Sequence, residues 1–187
     1  MKVERLAMFA LGLTWAGLVS AGPLLQQTAP TPPTTFIEGT DFSVMQYSGI
    51  ADVTAAVTSV DLLGADSGCE AADFAGFTVG TIALLKRGVC TFSLKATNAW
   101  AAGAVGVLIF NNLADETALL TGTLGSAFPF DTLPVMGLTR ALGEQLAATP
   151  GLVMRLSVPA SVPEPGSLAL LGLGLAGLAL SRRRRAN

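Results

Sequence analysis

One stretch restricts the fold of this chain more than any other. Ile82-Ala83-Leu84-Leu85-Lys86 is a short, continuously apolar run ending at Arg87-Gly88, and Val105 to Phe110 is a second one, closed by Asn111-Asn112. Runs of this length bounded by turn residues read as strands covered on both faces. Between them Thr91 offers an N-cap, and Phe92, Ala96, Ala99 and Gly103 recur at i, i+4, i+7 and i+11. Such a narrow stripe of mostly small side chains lets a helix sit close on a sheet, and Gly103 can end it. Strand, helix and strand in that order predict a parallel pair joined by a right-handed crossover.

Weaker strands are expected at 42–47, 51–60, 135–138 and 152–158. The last places Leu152, Met154, Leu156 and Val158 on one face and Arg155 and Ser157 on the other. A second helix, 140–148, follows Thr139 and stops before Pro150-Gly151. The expectation is an α/β domain of about six strands and two main helices, running from about Phe36 to Val158. Residues 22–35 carry Pro23, Pro30, Pro32 and Pro33 among glutamines and threonines, and read as an extended leader with too little apolar surface to pack.

Several blocks together carry a family likeness: Gly68-Cys69, Asp73 to Gly76, Ile82 to Phe92, Lys95, Asn98-Ala99, Ala102 to Val107, Phe110 to Asn112, Leu133 to Leu138 and Gly143-Glu144. In these the chain resembles the protease-associated (PA) domain. The resemblance implies a swivelling β/β/α fold, usually inserted in or attached to peptidases and sorting receptors, with a non-catalytic part in substrate access or protein binding. No peptidase part accompanies the block, so a role guarding an active site within the same chain is not expected.

The two ends read as addresses. Residues 1–21 have a basic start at Lys2 and Arg5, an apolar run from Leu6 to Val19, and small side chains before Gly22. That is a secretory signal peptide cleaved between Ala21 and Gly22; its apolar run is shorter than the roughly 20 residues a bilayer span needs. At the other end, a linker over 159–167 holds Pro163-Glu164-Pro165. It precedes a run of Leu, Ala and Gly over 168–180 and then Arg182, Arg183, Arg184 and Arg185. The prolines keep the strip before the apolar run extended, the run spans a bilayer only marginally, and the arginines hold the far end in the cytoplasm. Residues 162–187 resemble the PEP-CTERM sorting signal of Gram-negative bacteria. The resemblance implies transient association with the inner membrane, cleavage by an exosortase, and delivery to the cell surface or an exopolysaccharide matrix. Signal peptidase and exosortase are thus the expected processing partners.

Between the ends lie 140 residues with five basic and eleven acidic side chains, a net charge of −6. That argues against nucleic acid as a partner and suits a protein soluble outside the cell. The chain has no histidine. This removes the serine–histidine–aspartate triad, the cysteine–histidine dyad and histidine-ligated zinc together. Cys69 and Cys90 are the only cysteines; in an exported chain the pair favours a disulfide, with two buried thiols as the alternative. No metal, cofactor or catalytic residue is expected.

The function expected is a non-catalytic binding or interaction module for an unidentified protein, peptide or glycan. Candidate contacts are Arg87 and Asn111 at the strand ends, and the irregular stretch 113–132, since long loops are often functional. Both side chains could equally tie turns to backbone carbonyls. Two other readings are an accessory subunit of a secreted peptidase and a hydrolase using paired carboxylates, for which Asp61 with Asp66, or Asp131, would be nominated.

Overall fold

The computed structural model describes residues 22–125, 131–160 and 174. Eight strands form one sheet: β1 (Leu24–Ala29), β2 (Thr34–Thr35), β3 (Phe42–Val44), β4 (Ala51–Ser59), β5 (Ile82–Lys86), β6 (Gly106–Phe110), β7 (Val135–Leu138) and β8 (Val153–Val158). Their order across the sheet is β2-β1-β8-β4-β5-β6-β7-β3. The middle is parallel, β4 through β7, while β8 runs antiparallel to both β4 and β1, and β3 antiparallel to β7. Two helices, α1 (Phe92–Ala101) and α2 (Arg140–Ala147), and a short 3₁₀ turn at Ala71–Phe74 complete the fold.

The central block forms as its pattern dictates. β5 and β6 are parallel neighbours in register from Ile82↔Gly106 to Lys86↔Phe110, and all five residues of β6 are buried. The Thr91 hydroxyl accepts from the Leu94 N–H at 3.2 Å, capping α1. Gly103, at φ +86°, supplies the left-handed residue that stops it. Ala96 and Ala99 are fully buried beneath α1. Thr139 caps α2 in the same way, accepting from the Leu142 N–H at 3.2 Å, and β8 alternates as expected, with Met154, Leu156 and Val158 inward.

The sheet curls. A carbon on Gly106 of β6 would lie 3.2 Å from Leu156 Cδ2 of β8, although two strands separate them in the sheet. Laid flat, those strands would be about 14 Å apart. The curl lets Leu25, Met154 and Leu156 share one apolar core with Leu84, Leu108, Met136, Leu142 and Leu146 under α2. The opposite face of the central strands packs Ala83, Leu85, Val107 and Ile109 against Ala96 and Ala99 of α1, with Phe74 and Leu120 closing the margins.

Two expectations need correcting. Residues 22–35 are not a free leader: Leu24–Ala29 pairs with β8 from Leu24↔Ser157 to Ala29↔Val153, and Thr34–Thr35 folds back on Gln26 and Gln27. The strand count is therefore eight rather than six, and the ordered body begins near Leu24 rather than Phe36. The physical reason is that β8 has an open edge, and a single anchor, the fully buried Leu25, suffices to dock a partner there. The strand expected over 42–47 pairs with β7 only as far as Val44; Gln46 then bridges Thr123, and Tyr47, at a positive φ of 67°, turns the chain. The stretch 113–132 is tied down where it is described: Leu120 and Leu124 are buried, Ser43 Oγ donates to the Leu120 carbonyl at 2.7 Å, and Gln46 exchanges backbone bonds with Gly122 and Leu124.

The signal-peptide segment, Ala21 of its cleavage site, the Pro163-Glu164-Pro165 strip and Arg182 to Arg185 lie outside the described residues. So does the apolar run expected to enter the membrane, apart from Gly174. Among the described residues no helix is long and apolar enough to cross a membrane.

Candidate functional site

The parallel strands β5 and β6 end side by side at Lys86 and Phe110. In open α/β sheets the carboxyl ends of parallel strands are where loops diverge and leave a crevice. Here that crevice is a cleft of about 390 Å³. Its floor is Lys86, Phe110, Asn111 and Asn112; one wall is the loop Leu63-Gly64-Ala65, the other the first turn of α2 with Arg140 and Glu144.

Two glycines make this geometry possible. A carbon on Gly88 would collide with the Ala65 carbonyl, so the wall loop can arch over the end of β5 only because position 88 has no side chain. Val89 N–H then donates to that carbonyl at 3.3 Å. Gly143 faces Phe110 so closely that any side chain would overlap the ring. A glycine costs a helix about 1 kcal/mol relative to alanine, but here it seats α2 directly on β6.

Within the cleft the polar groups are held at fixed positions. Lys86 Nζ donates to the Leu62 carbonyl at 2.6 Å, anchoring the wall loop. Arg140 Nε pairs with Glu144 Oε1 at 2.7 Å, and Glu116 stands 4.0 Å from its Nη2. The bond to Glu144 holds the Arg140 guanidinium above its ordinary pKa, with the charge of Glu144 adding to it. A cation in the first turn of a helix opposes the macrodipole, and here Glu144 and Glu116 supply the compensating negative charge. Leu63, fully exposed, forms an apolar lip.

Of the two contact residues expected from the sequence, Asn111 lines the cleft but is consumed by structure. It is buried, its Nδ2 donates to the Ala118 carbonyl at 3.0 Å, and its Oδ1 accepts from Arg87 Nη1 at 3.1 Å and from the Asn112 N–H at 3.0 Å. Arg87 does not line the cleft and reaches it only through Asn111. Sequence reasoning missed Lys86, Arg140 and Glu144. The one available signal was the Arg140/Glu144 spacing at the start of a helix, a cation placed against the dipole.

The nominated carboxylates divide. Asp61 and Asp66 approach one another across Gly64, where a side-chain carbon would strike both carboxylates; both residues are exposed. Asp131 lies elsewhere: its carbonyl accepts from the Ile50 N–H at 2.7 Å, before β4 begins, whereas Asp61 follows the end of β4. Nine strand residues put those ends about 30 Å apart. Among the described residues no group of three or more acidic or cysteine side chains is gathered to hold a metal ion.

Cys69 and Cys90 form a disulfide. It joins the loop after β4 to the segment leading into α1. Lys95, on the first turns of α1, is fully buried beside it. Its Nζ donates to the Ser67 carbonyl and lies 3.7 Å from Cys69 Sγ. Asn98 Nδ2 donates to the Gly68 carbonyl at 3.1 Å, a second tie between α1 and the same loop.

Comparisons with known proteins place this geometry in context. A family model described as "PA domain" matches residues 53–146, and one described as "PEP-CTERM protein-sorting motif" matches residues 161–185. An aminopeptidase of Pseudomonas aeruginosa is 45% identical over 141 residues, covering 72% of this chain and 26% of that protein. Leucine aminopeptidase 2 of Arthroderma otae is 37% identical over 106 residues, covering 57% of this chain and 20% of that protein. Among solved structures, an aminopeptidase from Aneurinibacillus sp. strain AM-1 superposes with a TM-score of 0.59 at 28% identity, over 74% of this chain and 31% of that one. A zinc aminopeptidase from Bacillus subtilis gives 0.57 at 26% identity, over 73% and 30%. The chain thus spans about a fifth to a quarter of the length of the curated relatives it matches.

Proposed function

The chain belongs to the PA domain family and carries a PEP-CTERM sorting motif, and from that premise we propose that it is an exported, non-catalytic module that binds a short extended peptide in the cleft between β5, β6 and α2. The sorting motif implies export and processing by an exosortase. Signal peptidase would act between Ala21 and Gly22. The exosortase would act at the Pro163-Glu164-Pro165 strip while the apolar run and Arg182 to Arg185 hold the chain transiently in the inner membrane, leaving the body at the cell surface or in the extracellular matrix.

The observation that carries the reading is the composition of the cleft. Arg140, Glu144 and Lys86 present both signs of charge around one crevice, Asn112 adds an amide, and Leu63 offers an apolar lip. A peptide supplies matching groups: carbonyls, amides, terminal charges and side chains. A glycan fits less well, because the one aromatic residue lining the cleft, Phe110, is buried and gives a sugar ring no face to stack on. The test is a titration of the protein against a panel of short peptides, followed by calorimetry. Saturable binding that Arg140→Ala or Leu63→Asp weakens at least about tenfold, a loss of about 1.4 kcal/mol, supports the reading; binding indifferent to both substitutions refutes it.

A second reading has its own support. The relatives are aminopeptidases of which this region forms about a quarter, so the peptide held in the cleft could be the substrate or tail of a separate exported peptidase, with this chain as its accessory subunit. Co-purification of the protein with a secreted peptidase, lost on Arg140→Ala, would favour it over an independent binder.

A further inference from the structure

The cleft leaves unexplained why a lysine is buried beside a disulfide. Lys95 is fully buried, yet none of the ion pairs among the described residues includes it. Its Nζ is met by the Ser67 carbonyl and by Cys69 Sγ at 3.7 Å. A buried ammonium without an anion in contact is costly. Burial pushes its pKa below the ordinary lysine value, against the pull of Asp73 and Asp66 and together with the repulsion of Lys86. The missing anion has one obvious source in contact: the sulfur of Cys69, which becomes a thiolate whenever the disulfide opens.

The two sulfurs are therefore not equivalent. Cys69 Sγ lies against the ammonium, which favours negative charge on that atom. Cys90 lies between the exposed residues Val89 and Thr91, one position before the cap of α1. The helix terminus also favours a thiolate, but its effect is weaker than direct contact with a buried cation and falls off within the first turn.

We propose that Cys69–Cys90 is a directional thiol-exchange site at which a low-molecular-weight thiol becomes attached to Cys90, with Cys69 as the leaving group held by Lys95. The step balances without an external oxidant. The thiol loses its proton to solvent and its thiolate attacks Cys90 Sγ. A new S–S bond forms there, the Cys69–Cys90 bond breaks, and its electron pair departs on Cys69 as a thiolate facing the Lys95 ammonium. The reverse reaction expels the small thiol and restores the native bond. Thiol–disulfide exchange is faster when the leaving thiol is the more acidic one, so the ammonium sets which cysteine receives the adduct. Exchange would also untie the loop after β4 from the segment leading into α1.

The experiment incubates the purified protein with millimolar reduced glutathione, quenches with acid, alkylates free thiols and maps both cysteines by peptide mass. Glutathione on Cys90 with alkylated Cys69, favoured about tenfold over the opposite pattern, is expected. Lys95→Met, which keeps the bulk and removes the charge, should bring the two patterns close to equal. Because that variant could misfold, the thiols are also read singly. In Cys90→Ser the remaining Cys69 should be alkylated as a thiolate at lower pH than the remaining Cys90 in Cys69→Ser. Adducts mainly on Cys69, equal adducts in the unaltered protein, no adduct at all, or a Cys69 thiol no more acidic than Cys90 would each overturn the proposal.

Discussion

The two faces of the central sheet are covered by helices that hold on by different means. α1 rests on small side chains, Ala96 and Ala99, and so buries little apolar area of its own; it is tied by the Cys69–Cys90 disulfide, by Lys95 on the Ser67 carbonyl and by Asn98 on the Gly68 carbonyl. α2 has no such ties to that loop. It is held by Leu142 and Leu146 in the core it shares with Leu25, Met154 and Leu156, and by the contact of Gly143 with Phe110. Close packing with few apolar groups needs polar and covalent reinforcement; α2 relies on larger side chains, and its polar ties run instead to the segment before β7, from the Ala141 N–H to the Glu116 carbonyl at 3.0 Å and from Arg140 to the Leu113 carbonyl. The consequence is functional: the charged end of α2, with Arg140 and Glu144, remains available to line the cleft.

Substitutions that act oppositely on the two faces can break this contrast. The largest effect is expected from Leu146→Ala, which removes a fully packed side chain under α2 and should cost about 4 kcal/mol, read from urea unfolding. Replacing both Cys69 and Cys90 by alanine frees a crosslink spanning 21 residues and should cost about 3 kcal/mol, with hydrogen-exchange protection lost first in α1 and retained in α2. Ala99→Leu should cost about 2 kcal/mol, because α1 has no room to retreat from the sheet; if it proved neutral, the close approach of α1 would be in doubt.

The smallest effect concerns the outer surface, where Arg155 of β8 grips Asp52 of β4 through bonds of 2.9 and 2.6 Å. The hydrogen bond from Arg155 holds the Asp52 carboxyl below its ordinary pKa. A carboxylate with a lowered folded pKa adds stability above its unfolded value of about 3.9 and loses it as pH falls through the folded one. Both side chains are well exposed, so the contribution is small and screened by salt. Asp52→Asn should therefore lower the unfolding midpoint slightly at about pH 6 and by less at about pH 3, with the difference shrinking in high salt.

How much of this was legible in the residues follows the range of the interactions involved. β5, α1 and β6 were readable because period, cap and stop all lie within thirty or so residues of one another, and the alternation of β8 was local too. β1 was not, because Leu24-Leu25-Gln26-Gln27-Thr28-Ala29 has only one buried anchor and becomes a strand by pairing with β8, which lies far along the chain. The site shows the same division. Arg87-Gly88 and Asn111-Asn112 were visible as turns, but the arch of Ala65 over Gly88 and the approach of Arg140 to Lys86 and Asn112 depend on tertiary packing. The burial of Lys95 was equally invisible, since a lysine on a helix ordinarily faces water.

The most direct test of the whole account is amide chemical-shift mapping of the isotope-labelled protein as a binding peptide is titrated in. Shifts confined to Lys86, Phe110 to Asn112, and Arg140 to Glu144, with the Leu63 loop following and α1 silent, are the expected result. Shifts centred on α1, or turnover of the peptide, would contradict it.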